Sequence, residues 1–194
     1  LGMSRGLGDV YKRQGHASFL INLDGTIILT DPIFSKRASP VGIFGPKRLI
    51  PPALNITDLP KIDLVTISHN HYDHLDIGSL VKISKKNPDA QFLVPKGDKK
   101  ILTKRGIENV SEFLWWENSI VKNLKMTFTP VQHWSARGLG DRNKSLWGGW
   151  FFETSEFNLF HAGDTGYSND FLMTREKLGA PEYALIPIGA YSPE

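Results

Sequence analysis

The sequence predicts an α/β fold with a polar site at the carboxyl ends of its strands. Three observations predict it. Residues 62–67 form an apolar, largely β-branched run that reads as a buried strand, and a tight turn and a helix follow. The pairing recurs downstream, where a strand at 91–94 precedes a helix at 97–105. Polar residues of metal-ligand type emerge where apolar runs stop, which is where open α/β sheets place ligands.

Residues 1–14 are Gly- and Arg-rich without hydrophobic period. They read as a non-native or disordered leader outside the fold, with ordered structure beginning at His16 and one domain over residues 15–194. Runs at 17–23 and 26–30 flank Asp24-Gly25, a strong hairpin signal. Asp31, before Pro32, reads first as a turn residue, though at a strand end it could orient a metal-binding histidine. Residues 32–60 are Pro- and Gly-rich and show no convincing element. A loop this long is often functional, and Phe34, Ile43 and Phe44 could wall or cover a site.

Asp76 reads as the N-cap of a helix whose apolar face holds Ile77, Leu80, Val81 and Ser84, and which ends near Asn87-Pro88. Lys82, Lys85 and Lys86 complement its dipole. Gly106 closes the 97–105 helix, whose Lys99, Lys100, Lys104 and Arg105 read as a solvated face. A short strand at 109–114 leads to Trp115-Trp116, expected as one core and one rim residue. Residues 125–131 alternate like a strand and deliver His133 into a loop at 135–145. Strands at 147–154 and 157–161 pair, and the second ends in Gly163-Asp164-Thr165-Gly166. A helix at 168–178 and a strand at 183–188 follow.

The centre of this pattern is His69-Asn70-His71-Tyr72-Asp73-His74, which holds three of the six histidines. Imidazole and carboxylate suit zinc and other borderline divalent metals. These residues crowd too closely for one ion, so two could face one metal while Asp73 and His74 face a second. Paired metals can activate a shared water. The plainer reading is a histidine-rich surface turn with one structural metal. His133 and Asp164 also follow apolar strands, and shared strand-end topology makes them the natural further ligands. His16 and His161 read as structural.

An apolar content of 40%, with five Trp and eleven Phe, suffices for a core. Zero cysteine excludes disulfides and thiolate metal sites and fits a cytoplasmic location. No window has the length of a membrane span, and no signal peptide is evident. The net charge of +3 suits an anionic substrate or membrane surface. No interleaved basic–aromatic stripe points to nucleic acid.

The pattern His69-x-His71-x-Asp73-His74, with His133 and Gly163-Asp164-Thr165-Gly166, resembles the metallo-β-lactamase superfamily. Thr30-Asp31-Pro32-Ile33-Phe34-Ser35-Lys36-Arg37, Gly45-Pro46-Lys47-Arg48, Gln132-His133-Trp134, Trp147-Gly148 and Ile186-Pro187-Ile188-Gly189-Ala190-Tyr191 are similar to the N-acyl-phosphatidylethanolamine-hydrolysing phospholipase D family and its bacterial relatives. The resemblance implies a four-layer αββα sandwich with two zinc ions at one edge. It implies His69, His71 and His133 on one zinc, Asp73 and His74 on the other, and Asp164 bridging, with Tyr72 beside the substrate and a metal-bridging hydroxide attacking phosphorus. The family also has a later histidine ligand, strand and helix with no counterpart before Glu194, so the chain reads as an N-terminal fragment with an incomplete second site.

The expected function is therefore a zinc-dependent phosphodiesterase of phospholipase D type. Its substrate would be a small molecule or phospholipid, with peripheral membrane contact through a loop if lipid is the substrate. The alternatives are hydrolysis of another ester, such as a sugar-phosphate lactone, and a non-catalytic metal-binding module. Asp73 is the residue whose loss separates an enzyme from such a module.

Overall fold

The structure is a computed structural model describing residues 12–15, 18–39, 45, 47–48 and 51–188, with only the backbone described at 12–15. His16, Ile43, Phe44 and the 189–191 part of the last motif lie outside the described residues, as do residues 1–11 of the expected leader.

Strand periodicity explains the layering. In β3 (Thr26–Thr30), Ile27 and Leu29 face one way and Ile28 the other. Leu29 packs with Val65, Phe92, Leu80 and Ile83 beneath two helices, whereas Ile28 packs with Leu64, Leu93, Met126, Phe128 and Trp150 between two sheets. A third cluster joins Phe151 and Phe160 to Phe171 and Leu178. The three clusters define the four αββα layers.

The first sheet runs β1 (Lys12–Gly15), β2 (Ser18–Leu23), β3, β4 (Leu64–Thr66), β5 (Gln91–Pro95), β6 (Val110–Phe113). β2 and β3 are an antiparallel hairpin, and β3 to β6 run parallel. Asp24 (φ 49°) and Gly25 (φ 75°) both take positive φ, as a primed hairpin turn requires. The second sheet runs β11 (Tyr183–Leu185), β10 (Asn158–His161), β9 (Gly149–Glu153), β8 (Leu124–Thr129), β7 (Asn118–Val121). Among the described residues, strand structure is present already at Lys12–Gly15, before the expected His16, because this segment finds an edge position against β2.

Helix α1 (Ile77–Lys86) begins where expected: the Asp76 carboxylate accepts from the Gly78 and Ser79 amides. Its buried face is Ser79, Leu80 and Ile83, so Ile83 rather than Ser84 meets the sheet. Helix α2 (Lys99–Thr103) is shorter than 97–105, since Gly97 takes φ 104° and Glu112 binds the Gly97 and Lys99 amides. Its Lys99, Lys100, Lys104 and Arg105 are exposed. Helix α3 (Asp170–Leu178) covers the second sheet.

One strand goes beyond the expected elements, and two expectations need correction. The strand β7 has only two apolar residues and an edge position, so its sequence carries little strand signal. Neither Trp115 nor Trp116 enters the core: Trp115 is exposed and donates to the Trp147 carbonyl at 2.6 Å, while half-buried Trp116 lies under Lys177. Among the described residues of the 32–60 loop, Phe34, Leu54 and Ile56 pack on the helix-side core instead of walling the site, with a 3-10 turn at Ile56–Asp58. No helix of the described residues is long and apolar enough to cross a membrane.

Trp150 ties the sheets together. It is fully buried against Phe113 and Phe128, and its Nε1 donates to the Ile67 carbonyl at 2.9 Å, immediately upstream of the histidine turn. Trp150→Phe is expected to destabilise the protein by about 1–3 kcal/mol through the lost hydrogen bond and the cavity. A urea-denaturation midpoint unchanged from wild type would contradict this role.

Candidate metal centre

The parallel strands β3 and β4 end side by side. Past their ends, Asp31 N–H donates to Thr66 O at 2.8 Å, which sets Asp31 beside Ser68. Asp31 is fully buried with φ 38°. Its Oδ1 accepts from Ser68 N at 2.7 Å, and its Oδ2 accepts from Ser68 Oγ at 2.6 Å and from His74 Nδ1 at 2.8 Å. Asp31 therefore does orient a candidate ligand; the reading as a mere turn residue is superseded. Ser68 Oγ also lies 2.9 Å from His69 Nδ1. With its own proton directed to Asp31, the hydroxyl accepts from His69 Nδ1–H. Ser68 thereby leaves a bare Nε2 on His69 turned toward the site, and Asp31 orients the His74 ring through Nδ1, the usual effect of an outer hydrogen bond on a ligating imidazole.

The remaining candidates arrive from the second sheet. Gly166 N donates to Gln132 O at 2.8 Å and Gln132 N to Thr165 Oγ1 at 3.2 Å, which joins the segment bearing His133 to that bearing Asp164. Gly163, at φ 63°, lets the β10 end press on the histidine turn: a Cβ there would meet Ser68 Cβ at 2.5 Å. Buried His161 lies deeper, its Nε2 4.0 Å from Asp31 Oδ2 and its ring edge-on to Phe19.

Among the described residues, possible metal donors gather as His69, His71 and His133, and as His69, His74 and Asp164. His133 Nε2 stands 3.2 Å from His69 Nε2 and 3.3 Å from His71 Nδ1. Nitrogens about 2.0–2.1 Å from one tetrahedral ion stand about 3.3 Å apart, so this donor set fits a divalent metal. In the second group His74 Nε2 lies 3.1 Å from Asp164 Oδ2, with Asp73 Oδ2 farther away at 3.9 Å. Tyr72 lies between the ligands in sequence, its OH donating to Arg137 O at 2.7 Å.

Electrostatics agree with that fit. Burial lowers the pKa of His71, and pushes that of His133 down to about 4, so both are neutral with lone pairs to share. Burial also disfavours charge on His74, but Asp31 and Asp164 outweigh it and hold this imidazole up to about 10. A buried position between two carboxylates that retains a proton so firmly is one that calls for positive charge, which a divalent ion also supplies.

Sequence reasoning missed the supports. Arg137 Nη1 donates to Asn70 O at 2.8 Å and Leu75 O at 2.9 Å, bracing both ends of the turn, and its guanidinium lies 4.1 Å from the centre of the Tyr72 ring. Asn70 Nδ2 donates to buried Asp98 Oδ1 at 3.0 Å. Only the adjacency of Ser68 to His69 could have hinted at any of this.

Asp31→Asn is expected to lower divalent-metal affinity about 10–100-fold, because it misorients His74 and Ser68. Competition with a chromophoric chelator reads this, and equal affinities would contradict it. Burial raises the Asp98 carboxyl from its ordinary 3.8 to about 6. The fold thus favours neutral Asp98, and this residue's contribution to stability falls as pH rises from about 4 to about 6. Asp98→Asn keeps the acceptor for Asn70 and removes that loss. Its stability relative to wild type should rise by about 2–3 kcal/mol across this interval and then level off. Parallel denaturation curves at pH 4 and pH 7 check it.

Comparison with known proteins agrees with this architecture. Residues 26–194 match the family described as "Beta-lactamase superfamily domain". The chain is 42% identical over 190 residues to N-acyl-phosphatidylethanolamine-hydrolyzing phospholipase D 1 of Caenorhabditis elegans, covering 92% of this chain and 53% of that protein. It is 33% identical to the UPF0173 metal-dependent hydrolase MK1542 of Methanopyrus kandleri, covering 91% of this chain and 70% of that protein. The chain thus spans about half the length of the phospholipase relative. The solved structure of Igni18, a metallo hydrolase from Ignicoccus hospitalis, shares the fold at a TM-score of 0.69 and 24% identity, covering 93% of this chain and 71% of that one. On the family match, the strand-end histidines and the αββα layers together, the chain belongs to the metallo-β-lactamase superfamily, among relatives that include metal-dependent hydrolases.

Proposed function

We propose that this chain carries the metal centre of a zinc-dependent phosphodiesterase of the N-acyl-phosphatidylethanolamine phospholipase D type. The observation that carries the reading is the convergence of His69, His71 and His133 at tetrahedral ligand spacing beside His74 and Asp164. The likeness to the Caenorhabditis elegans phospholipase supports the substrate class. His69, His71 and His133 would hold one zinc, and His74, Asp73 and Asp164 would serve a second. Bound there, the metals would supply Lewis-acid stabilisation of phosphoryl oxygens and a water acidic enough to attack.

The chain's own residues do the positioning. Asp31 holds His74, and Ser68 holds His69. Arg137 fixes the turn and, through Tyr72, one side of the substrate space. Asp73 is the more exposed carboxylate at this rim, where it can accept a proton from incoming water. The substrate is a phospholipid or small phosphodiester, not nucleic acid, and the location is cytoplasmic, with peripheral membrane contact through a loop where the substrate is a lipid. Hydrolysis of another ester is the second reading, favoured by the likeness to UPF0173 metal-dependent hydrolases, whose name specifies no phosphate.

The test is metal content by elemental analysis together with turnover of bis(4-nitrophenyl) phosphate and of a chromogenic carboxylic ester. At least one zinc per chain is expected, with phosphodiester turnover abolished by chelation and lowered at least about 100-fold in His133→Ala and Asp73→Ala. Turnover of the carboxylic ester alone would favour the second reading. Bound metal without turnover of either would leave a binding module.

A further inference from the structure

Two ring contacts lead outward from the metal-binding histidines. Trp134 stands edge-to-face on His71 with ring centroids 4.3 Å apart, and the Arg142 guanidinium carbon lies 4.8 Å from the centre of the Trp134 ring. Trp134 is 39% exposed and Arg142 is exposed, so both border the open side of the site.

The loop carrying Arg142 is well held. Ser135 Oγ donates to Ser145 O, and Asn143 N to Ser135 O at 2.8 Å. The neighbouring carboxylate, Asp141, accepts from the Arg137 and Gly138 amides. It is therefore engaged with backbone, and among the described residues Arg142 has no ion pair. A guanidinium stays charged at every working pH and keeps its donors in its own plane, so contact with a ring leaves donors available. A cation two ring contacts from the candidate metal donors, with donors in hand, suits a carboxylate or phosphate.

We infer that Arg142, seated on Trp134, recognises a second negatively charged group of the substrate, beyond the ester being hydrolysed. The preferred substrates are then phosphodiesters whose alcohol carries a carboxylate or phosphate, over those with a neutral alkyl group. This rests on the phosphodiesterase reading for the reacting group, but the charge preference can be measured without it. Trp134 acts as the platform that aims the guanidinium.

The zinc-loaded protein is assayed with 4-nitrophenyl 2-carboxyethyl phosphate and 4-nitrophenyl propyl phosphate, which share a leaving group and differ in one charge. Wild type should favour the carboxylated ester about fivefold in kcat/KM, expressed in KM and weakened by salt. Arg142→Gln should bring the ratio near one, Arg142→Glu should invert it, and Arg142→Lys should retain part of it. An equal ratio in wild type and Arg142→Gln overturns the inference, because general damage to the fold would lower both rates alike. If wild type hydrolyses neither ester, the phosphodiesterase reading fails. Calorimetric titration with 2-carboxyethylphosphonate and propylphosphonate then decides the charge preference. Tighter binding of the carboxylated compound that Arg142→Gln loses supports it; equal binding overturns it.

Discussion

A single buried carboxylate organises the candidate metal centre. Asp31 lies at the end of one parallel strand and reaches across to the turn that ends the next. There it takes the amide and hydroxyl of Ser68 and the Nδ1 proton of His74. A fully buried carboxylate is costly unless its lone pairs are occupied, and these three donors occupy them. The consequence passes outward: Ser68 sets the tautomer of His69, and Asp31 sets the ring orientation of His74. Two of the ligand nitrogens thus owe their direction to one residue that faces away from the open site.

Convergence of the two sheets supplies the other half. The first sheet brings the histidine turn, and the second brings His133 and Asp164. Close approach is possible because Gly163 has no side chain where Ser68 presses, and because Trp150 bonds the carbonyl of Ile67. Neutral imidazoles on one side and carboxylates on both sides of His74 then create an arrangement that favours positive charge. The candidate metal site is in this sense a property of the sheet edges rather than of the turn alone.

Farther out, the same loop does two different things. Arg137 is drawn in, with its guanidinium bonded to the carbonyls of Asn70 and Leu75, and becomes part of the frame. Arg142, five positions on, stays at the surface over Trp134. Both are arginines in one short loop, one between Ala136 and Gly138 and the other between Asp141 and Asn143, and neither set of neighbours signals which joins the frame.

What the sequence determined by itself is what short-range chemistry dictates. Asp24-Gly25 can only turn a hairpin of this hand, Asp76 caps the helix that starts beside it, and three histidines and an aspartate within six positions announce a metal-binding turn. Tertiary structure alone decided the rest. The partners of the Asp31 carboxylate lie 37 and 43 positions away, and those of the Arg137 guanidinium more than 60. The weak strand at 118–121 exists because an edge was open to it, and Trp115 and Trp116 lie outside the core because their segment runs along the rim. Turn and cap preferences act over a few residues and are readable in a line of text. A hydrogen bond between distant segments depends on where the strands bring them, which only the assembled sheets fix.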